Sequence, residues 1–427
     1  MTDSAPRRVA IVAGNRIPFA RSNTAYAEAT NQEMLTAALA GLVEKSGLKG
    51  AALGDVVAGA VINHVKDWNL ARECVLGAGL APETPGLTLQ RACGTSLEAA
   101  IIVGNRIALG QIEAGIAAGT DTTSDAPIVY RDGLRKGILR AMRARSFGQR
   151  AAAITAIRFR DLKPGTPGVI EPRTGLSMGQ HCERMVKEWK VPRAAQDELA
   201  LVSHQRAAAA WAEGFFADLV SPFGGLAFDN NVRQESTLAK LASLKPAFDR
   251  SGAGSLTAGN STPLTDGAAA VLLGSEHWAH ERGLSVQAYL AHSEVAAVDF
   301  VAGKEGLLMA PAYAVPRMLA RANLKLSDFD YYEIHEAFAG QVLCTLAAWE
   351  DPTFCRERLG LAGALGAVDR AKLNVKGGSV AIGHPFAATG ARVLATAAKL
   401  LAQRGSGRAL ISVCTAGGMG VTAIVER

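Results

Sequence analysis

Along the first 125 residues the apolar and polar positions change period several times, and each change marks an element. Arg7–Gly14 is a short apolar run closed by glycine and predicts a buried strand. From Asn31 the apolar side chains fall at Leu35, Ala38, Leu39, Leu42 and Val43, one face of a helix that Gly47 is placed to stop. Asp55–Val61 reads as a second strand, and Gly86–Ala92 alternates like a third. Thr95–Leu109 returns to helical spacing, and Gly115–Asp121 is the next strand. Strands alternating with helices at this spacing predict βαβ units and a parallel or mixed sheet.

The last third repeats the pattern. Gly377–Gly390 reads as a strand, a tight Gly-Pro turn and a helix to about Ala402; Ala409–Gly420 reads as a strand and a glycine turn. Laying Gly115–Asp121 over Leu410–Ala416 brings the loop at Cys93 into register with the loop at Pro385–Ala387. The chain therefore reads as an internal duplication of one α/β module. In such sheets ligands sit at the carboxyl ends of strands. Asp125 to about Lys245 differs in texture, with a basic run, a Pro/Gly-rich stretch at 163–168 and a helical Gln196–Glu213. It reads as an inserted cap, not a third core, after which Leu256–Leu273 returns to strand and turn. The expected division is 1–124 and 246–280 for the first module, 125–245 for the inserted loop domain, and 281–427 for the second module.

Composition narrows the class. Of 427 residues, 49% are apolar and 20% charged, which excludes global disorder. Only 6% are aromatic while 45 are glycine, which suits close-packed α/β layers better than a β-sandwich. The run Ala409–Val425 is interrupted by Gly417, Gly418 and Gly420, and a membrane span needs about 20 mainly apolar residues. Arg7-Arg8 precede too short an apolar stretch for a secretory leader, so the six cysteines are expected to be reduced thiols of a cytoplasmic protein. The net charge is +6, yet Tyr130–Lys163 alone carries ten basic side chains against Asp132 and Asp161, a net of +8. Within it Leu134, Ile138, Leu139 and Met142 share one helical side, as on a helix lying on an anionic membrane through 131–163, docking a partner subunit, or simply solvated. Too few aromatic residues interleave these charges for nucleic acid to be the partner.

Four motifs place a reactive side chain on a glycine-rich turn beside an expected strand end: QRACGTS with Cys93, HEAFAGQ with His335, GHPFAATG with His384, and CTAGGMG with Cys414. A helix N-terminus after Cys93 is expected to lower its thiol pKa and offer backbone N–H groups to an oxyanion. Two cysteines and two histidines also invite a zinc site, but no pair has C-x2-C or H-x3–5-H spacing, so no metal is expected.

These four motifs, in this order and spacing, with RIPFAR (Arg16–Arg21), RQESTLAKLASLKPAF (Arg233–Phe248) and TAGNSTPLTDGAA (Thr257–Ala269), resemble the thiolase family over nearly the whole chain. The resemblance implies an α/β duplicated thiolase fold, five-layer α/β/α/β/α, with an inserted loop domain. It implies an acyltransferase that cleaves 3-ketoacyl-CoA with free coenzyme A as co-substrate and no permanent cofactor. Cys93 would be the nucleophile and His384 would take its proton. Cys414 would be the acid/base at the acetyl carbon. Oxyanion donors would come from Cys93 and Ala416 on one side, and from His335 and His384 on the other. Met178, Ser261, Thr262 and Phe338 would contact substrate. The basic segment has a fourth reading, binding coenzyme A phosphates.

HEAF, where many thiolases carry Asn, is typical of the thiolase subunit of the fatty-acid oxidation trifunctional complex. That likeness implies a homodimer or dimer of dimers with a hydratase/dehydrogenase partner. Ala387 and Ala416 stand where the family more usually has glycine. Alternatives are a biosynthetic acetoacetyl-CoA thiolase, a ketoacyl synthase (which would lack Cys414), and a non-catalytic lipid-carrier scaffold.

Overall fold

A computed structural model describes residues 6–165 and 168–427; Thr166 and Pro167 of the Pro/Gly-rich stretch lie outside the described residues. The first half runs β1 (Val9–Arg16), β2 (Ala20–Arg21), α1 (Asn31–Lys45), β3 (Asp55–Ala58), α2 (Leu70–Gly77), β4 (Gly86–Thr88), α3 (Thr95–Ala108) and β5 (Ala114–Asp121). Five helices follow: α4 (Asp132–Arg143), α5 (Phe147–Thr155), α6 (Met178–Glu188), α7 (Arg193–Ala212) and α8 (Leu238–Ala242). The chain then returns with β6 (Thr265–Ser275) and α9 (Glu276–Glu281). The second half is β7 (Ala288–Ala297), α10 (Ala310–Ala322), β8 (Tyr331–Ile334), α11 (Ala339–Glu350), α12 (Pro352–Leu359), α13 (Ser379–Ile382), α14 (Thr389–Arg404), β9 (Arg408–Thr415) and β10 (Met419–Glu426).

Read outward from the centre, the strand orders of the two halves mirror each other: β1-β6-β5-β3-β4 on one side and β7-β10-β9-β8 on the other. In both, the pair β5·β3 or β9·β8 is parallel and the inner pairs are antiparallel. β5 is thus the counterpart of β9, as the sequence superposition expects. The halves join edge to edge through two antiparallel pairs, Ala10↔Tyr289 and Ile11↔Ala288.

Local chemistry sets these elements. Thr30 caps α1: its Oγ1 accepts the Glu33 N–H at 3.2 Å while Glu33 accepts the Thr30 N–H at 2.9 Å, and Gly47 ends the helix at φ +63°. The buried face of α1 covers the outer side of the first half-sheet, beside Ala10 and Val12. The alternate residues Val9 and Ile11 face inward onto α3 and α14, which also meet Ile411 and Val413 of the other half. α10 and α11 cover the far side with Val315, Met318, Val342 and Leu346. The result is five layers, with α3 and α14 in the middle.

Those two helices touch backbone to side chain. A Cβ on Gly390 would lie 2.3 Å from the Leu97 nitrogen, and Ser96 Oγ accepts the Ala391 N–H at 2.8 Å. Within the inserted region α6 and α7 join the neighbouring cores, through Cys182, Met185 and Val186 and through Ala207 and Ala210. Arg16 ties this region to β1 by a buried two-point pair with Asp229 at 2.5 and 2.7 Å. By contrast α4 buries only Gly137 and α5 buries no residue. No helix among the described residues is long and apolar enough to cross a membrane.

One element differs in kind from its reading. The segment expected as a strand at the start of Gly377–Gly390 is a single helical turn, α13. Gly377 at φ +82° and Gly383 at φ +106° bracket it, and neither angle continues an extended chain. Strands β3 and β4 are also shorter than their apolar runs, since the chain turns into the active-site loops beyond them.

A glycine-to-alanine change inside a helix usually stabilises by about 1 kcal/mol. Gly390→Ala is expected to do the opposite, destabilising by about 1–3 kcal/mol by overpacking, read as a lower denaturant midpoint. A midpoint at or above that of the parent protein would contradict the tight crossing.

Candidate active site

Cys93 sits between β4 and α3 on a turn that the sequence builds locally. Thr95 Oγ1 accepts the Arg91 N–H at 2.8 Å and donates to the Ala92 carbonyl at 2.7 Å. This holds Ala92 at φ +43°, a left-handed conformation costly for a residue with a side chain. A Cβ on Gly94 would meet Val421 at 2.6 Å and Thr415 at 3.1 Å, so the turn lies against the β9–β10 hairpin beside Cys414.

The N–H of Ala416 and that of Cys93 itself face the Cys93 sulfur. Even so, burial pushes this thiol up to about 12, and Asp121 and Glu171 push in the same direction. The expectation that the helix N-terminus lowers it is therefore corrected. Desolvation outweighs the two amides, which favours the thiol at rest.

The second half supplies the other three groups. Parallel pairing of β8 with β9 aligns Ile334 with Ser412, and the His335 N–H donates to the Ser412 carbonyl at 2.8 Å, bringing His335 next to the end of β9. Cys414 is buried there, and burial with the nearness of Cys93 holds its thiol well above the usual range. The Ala337 N–H faces it. His335 Nδ1 is 2.8 Å from Ser379 Oγ, and His384 Nδ1 is 2.6 Å from Thr389 Oγ1.

The two ring centroids are 4.1 Å apart, and each Nε2 is buried with no hydrogen-bond partner. Burial first, then the nearby Arg392, lowers His384 to about 3; burial, His384 and Arg392 hold His335 well below the usual imidazole range. Both rings are neutral at pH 7. Two unpaired ring nitrogens side by side can hold one oxygen as it gains negative charge.

A buried carboxylate fastens the loops together. Asp121, at the end of β5, accepts the N–H groups of Val61 at 2.9 Å, Ile62 at 2.8 Å and Ala387 at 2.8 Å. A cavity of about 660 Å³ opens onto Cys93, walled by Ile62, Val129, Ile170, Met178, Phe386 and Ala416 among others. Its size is that of a small-molecule site. Glu171 from the inserted region also lines it and accepts the Gly417 N–H at 2.6 Å, which leaves the Ala416 amide as the one facing Cys93.

Of the residues singled out from sequence, Cys93, Cys414, His335, His384 and Ala416 gather at this centre. Met178 lines the cavity, and Phe338 packs in the apolar cluster with Cys414, edge-on to Phe248. Ser261 is bridged to Phe338 but opens into a different, small cleft of about 40 Å³ with Arg21 and Arg233. Thr262 Oγ1 donates to the Ser379 carbonyl at 2.8 Å. Sequence reasoning missed Asp121, Glu171, Ser379 and Arg392. Only the first had a signal, an acidic residue at a strand end in the duplicated module. Among the described residues no group of His, Cys, Asp or Glu is arranged to hold a metal ion.

Comparison with known proteins matches residues 9–277 to the family model described as thiolase, N-terminal domain, and 284–427 to thiolase, C-terminal domain. The chain is 42% identical to the 3-ketoacyl-CoA thiolases of Vibrio cholerae and Yersinia pestis, covering 98% of this chain and 97% of each of those. Among solved structures it is similar to the acetyl-CoA acetyltransferase of Bacillus anthracis (TM-score 0.81, 30% identity, 99% of both chains). It is also similar to human mitochondrial 3-ketoacyl-CoA thiolase (TM-score 0.81, 26% identity, 98% of this chain and 99% of that one).

A thiol pushed up to about 12 alkylates through a thiolate fraction that grows with pH. Inactivation of the free protein by iodoacetamide is therefore expected to accelerate about tenfold per pH unit from 7 to 9. A plateau below pH 8 would mean that the helix terminus wins after all.

Proposed function

We propose that this chain, which belongs to the thiolase family, cleaves 3-ketoacyl-CoA with coenzyme A to give acetyl-CoA and a shortened acyl-CoA, as in fatty-acid β-oxidation. One observation carries the reading: Cys93 lines a roomy, mainly apolar cavity, the Cys414 thiol lies near it, and His335, just past the strand beside Cys414, pairs its ring with that of His384, each with a partnerless nitrogen.

The Cys93 proton passes to His384 Nε2, and the sulfur attacks the 3-keto carbon. The N–H groups of Cys93 and Ala416 hold the oxygen of the acyl group. The carbon–carbon bond breaks with its electron pair leaving as the enolate of acetyl-CoA, whose oxygen lies between His335 and His384. Cys414, a thiol at rest, protonates the enolate carbon and becomes a thiolate. Acetyl-CoA leaves. Coenzyme A then enters, gives its thiol proton to Cys414 and attacks acyl-Cys93; the Cys93 sulfur leaves and recovers its proton from His384. Every proton borrowed is returned.

The resting thiol of Cys414 suits cleavage, because that direction needs an acid first. Condensation to acetoacetyl-CoA is the same path reversed, and the size of the cavity favours longer acyl groups over acetyl. Cys414 itself stands against a ketoacyl synthase, and the unpaired ring nitrogens against a mere carrier.

In the assembly two copies pair through the first half, which ends in the edge strand β4 and presents Val65 and Trp68, each 91% exposed. The HEAF sequence at His335 supports a hydratase/dehydrogenase partner in the cytoplasm. Helices α4 and α5 lie on anionic membrane. They present Met142 and Phe147, 74% and 88% exposed, amid arginines, and bury almost nothing of their own.

Incubation with acetyl-CoA is expected to leave an acetyl group on the Cys93 peptide, read by mass spectrometry, and Cys93→Ala to lower kcat by at least about 10³-fold. Across 3-ketoacyl-CoAs of increasing length, kcat/KM should rise beyond acetoacetyl-CoA. An adduct on another residue, or activity confined to acetoacetyl-CoA, sinks the reading.

Changing Arg135, Arg140, Arg143 and Arg150 to Glu is expected to abolish co-sedimentation with phosphatidylglycerol vesicles at unchanged thiolysis. Equal binding to neutral vesicles, or none by the parent protein, removes the membrane role.

A further inference from the structure

We propose that Ser379, held by Arg392, fixes the ring proton of His335 on Nε2 and so makes this imidazole a standing N–H donor to the reacting oxygen. The proposal deepens the thiolytic reading above and rests on it for its functional meaning.

Ser379 is the first residue of α13 and is fully buried. Its hydroxyl oxygen has two partners, Arg392 Nη2 at 2.8 Å and His335 Nδ1 at 2.8 Å. A guanidinium can only donate, so Arg392 occupies a lone pair of Oγ. The hydroxyl hydrogen then has one hydrogen-bond acceptor among the described residues, His335 Nδ1.

Were the ring proton on Nδ1 instead, Ser379 Oγ would take two donors and leave its own hydrogen buried and unbonded, which is the costlier arrangement. That ring proton would also point toward the guanidinium charge. Both effects act in one direction. The hydroxyl donates to Nδ1, and a neutral ring then carries its single proton on Nε2, the nitrogen that has no protein partner.

The hydroxyl is held in place independently of any ligand. The Ser379 carbonyl accepts the Gly383 N–H at 2.9 Å and the Thr262 hydroxyl at 2.8 Å, and Glu336 accepts the next amide, Val380, at 3.1 Å. Arg392 is itself buried on α14, near the carboxyl groups of Glu333 and Glu336.

His384 lacks this device. Its Nδ1 meets Thr389 Oγ1, and no second donor holds that hydroxyl, so it is free to turn and accept an Nδ1–H. That tautomer leaves His384 Nε2 open to take the Cys93 proton. The same ring type thus has two duties because its outer nitrogen has two kinds of neighbour. Ser379 and Arg392 are positioning residues, acting through His335.

The test is the side-chain 15N spectrum of the resting, full-length protein, with His335 assigned by its loss in His335→Ala. The expected result is a protonated Nε2 and an unprotonated, hydrogen-bonded Nδ1. In Ser379→Ala the Nδ1 resonance should move toward that of a nitrogen with no hydrogen bond, and Ser379→Thr should keep it.

In turnover, Ser379→Ala should lower kcat about 10- to 100-fold at similar KM, the usual cost of losing a residue that orients a site group and less than removal of an oxyanion donor outright. It should cost nothing further in a His335→Ala background. A protonated Nδ1 in the parent protein, an unmoved Nδ1 resonance in Ser379→Ala, or fully additive losses would overturn the proposal. If Ser379→Ala does not fold, the parent spectrum decides alone. The spectrum needs no substrate, so a protein that failed to cleave 3-ketoacyl-CoA would lose the proposed function and leave the tautomer result standing.

Discussion

The site exists because α3 and α14 cross with almost nothing between them. Cys93 precedes one helix and His384 the other, and the two are separated by nearly 300 residues of chain. What brings them together is the contact of Gly390 with the Leu97 backbone and the bond from the Ala391 amide to Ser96. Any side chain at Gly390 would push the helices apart, and with them the nucleophile and its base. Asp121 secures the same junction from below, sharing its carboxylate between the loop at Ile62 and the loop at Ala387.

The centre formed this way is close to uncharged at rest. Burial keeps both thiols protonated and both imidazoles neutral, so no group pays the desolvation of an ion until substrate supplies a partner. The polar groups stand one step back, at Asp121, Arg392 and the glutamates 333 and 336, where burial raises all three carboxyls, Asp121 to about 7 and Glu333 to about 8. Their effect is to orient: amides face Asp121, and a hydroxyl is held by Arg392. Reactivity is therefore a property of the filled site, where aimed N–H groups meet an oxygen that is becoming negative.

Much of this was legible in the sequence. Apolar spacing located α1 by its one buried face and β1 and β5 as short continuous apolar runs, which is how strands buried on both faces read. The pairing of β5 with its counterpart β9 followed from a few small residues in register. The four reactive side chains were legible because each sits in a short motif rich in small residues, three of them at or just beyond a strand end and His384 just beyond the turn of α13. Three kinds of information were not. The conformation of Ser379–Ile382 depends on left-handed glycines at both ends, which an apolar run does not reveal. The direction of the Cys93 shift depends on how deeply the fold buries the sulfur, and a motif shows the helix terminus without showing the burial. Ser379, Arg392 and Glu171 act through contacts across tens to hundreds of residues, where local pattern is silent.

The helix crossing also carries a trace of descent. Thr95 and Thr389 are the first residues of α3 and α14, Ser96 and Gly390 the second, Leu97 and Ala391 the third. The contacts pair second with third in both directions, as a twofold axis would. Yet one second position offers a hydroxyl and the other offers empty space. A symmetric ancestor of two identical modules would have carried one residue in both places, so fusing the copies into a single polypeptide is what let the two positions specialise. The first positions stayed threonine, one bracing the turn of the nucleophile and the other steadying the ring of its base.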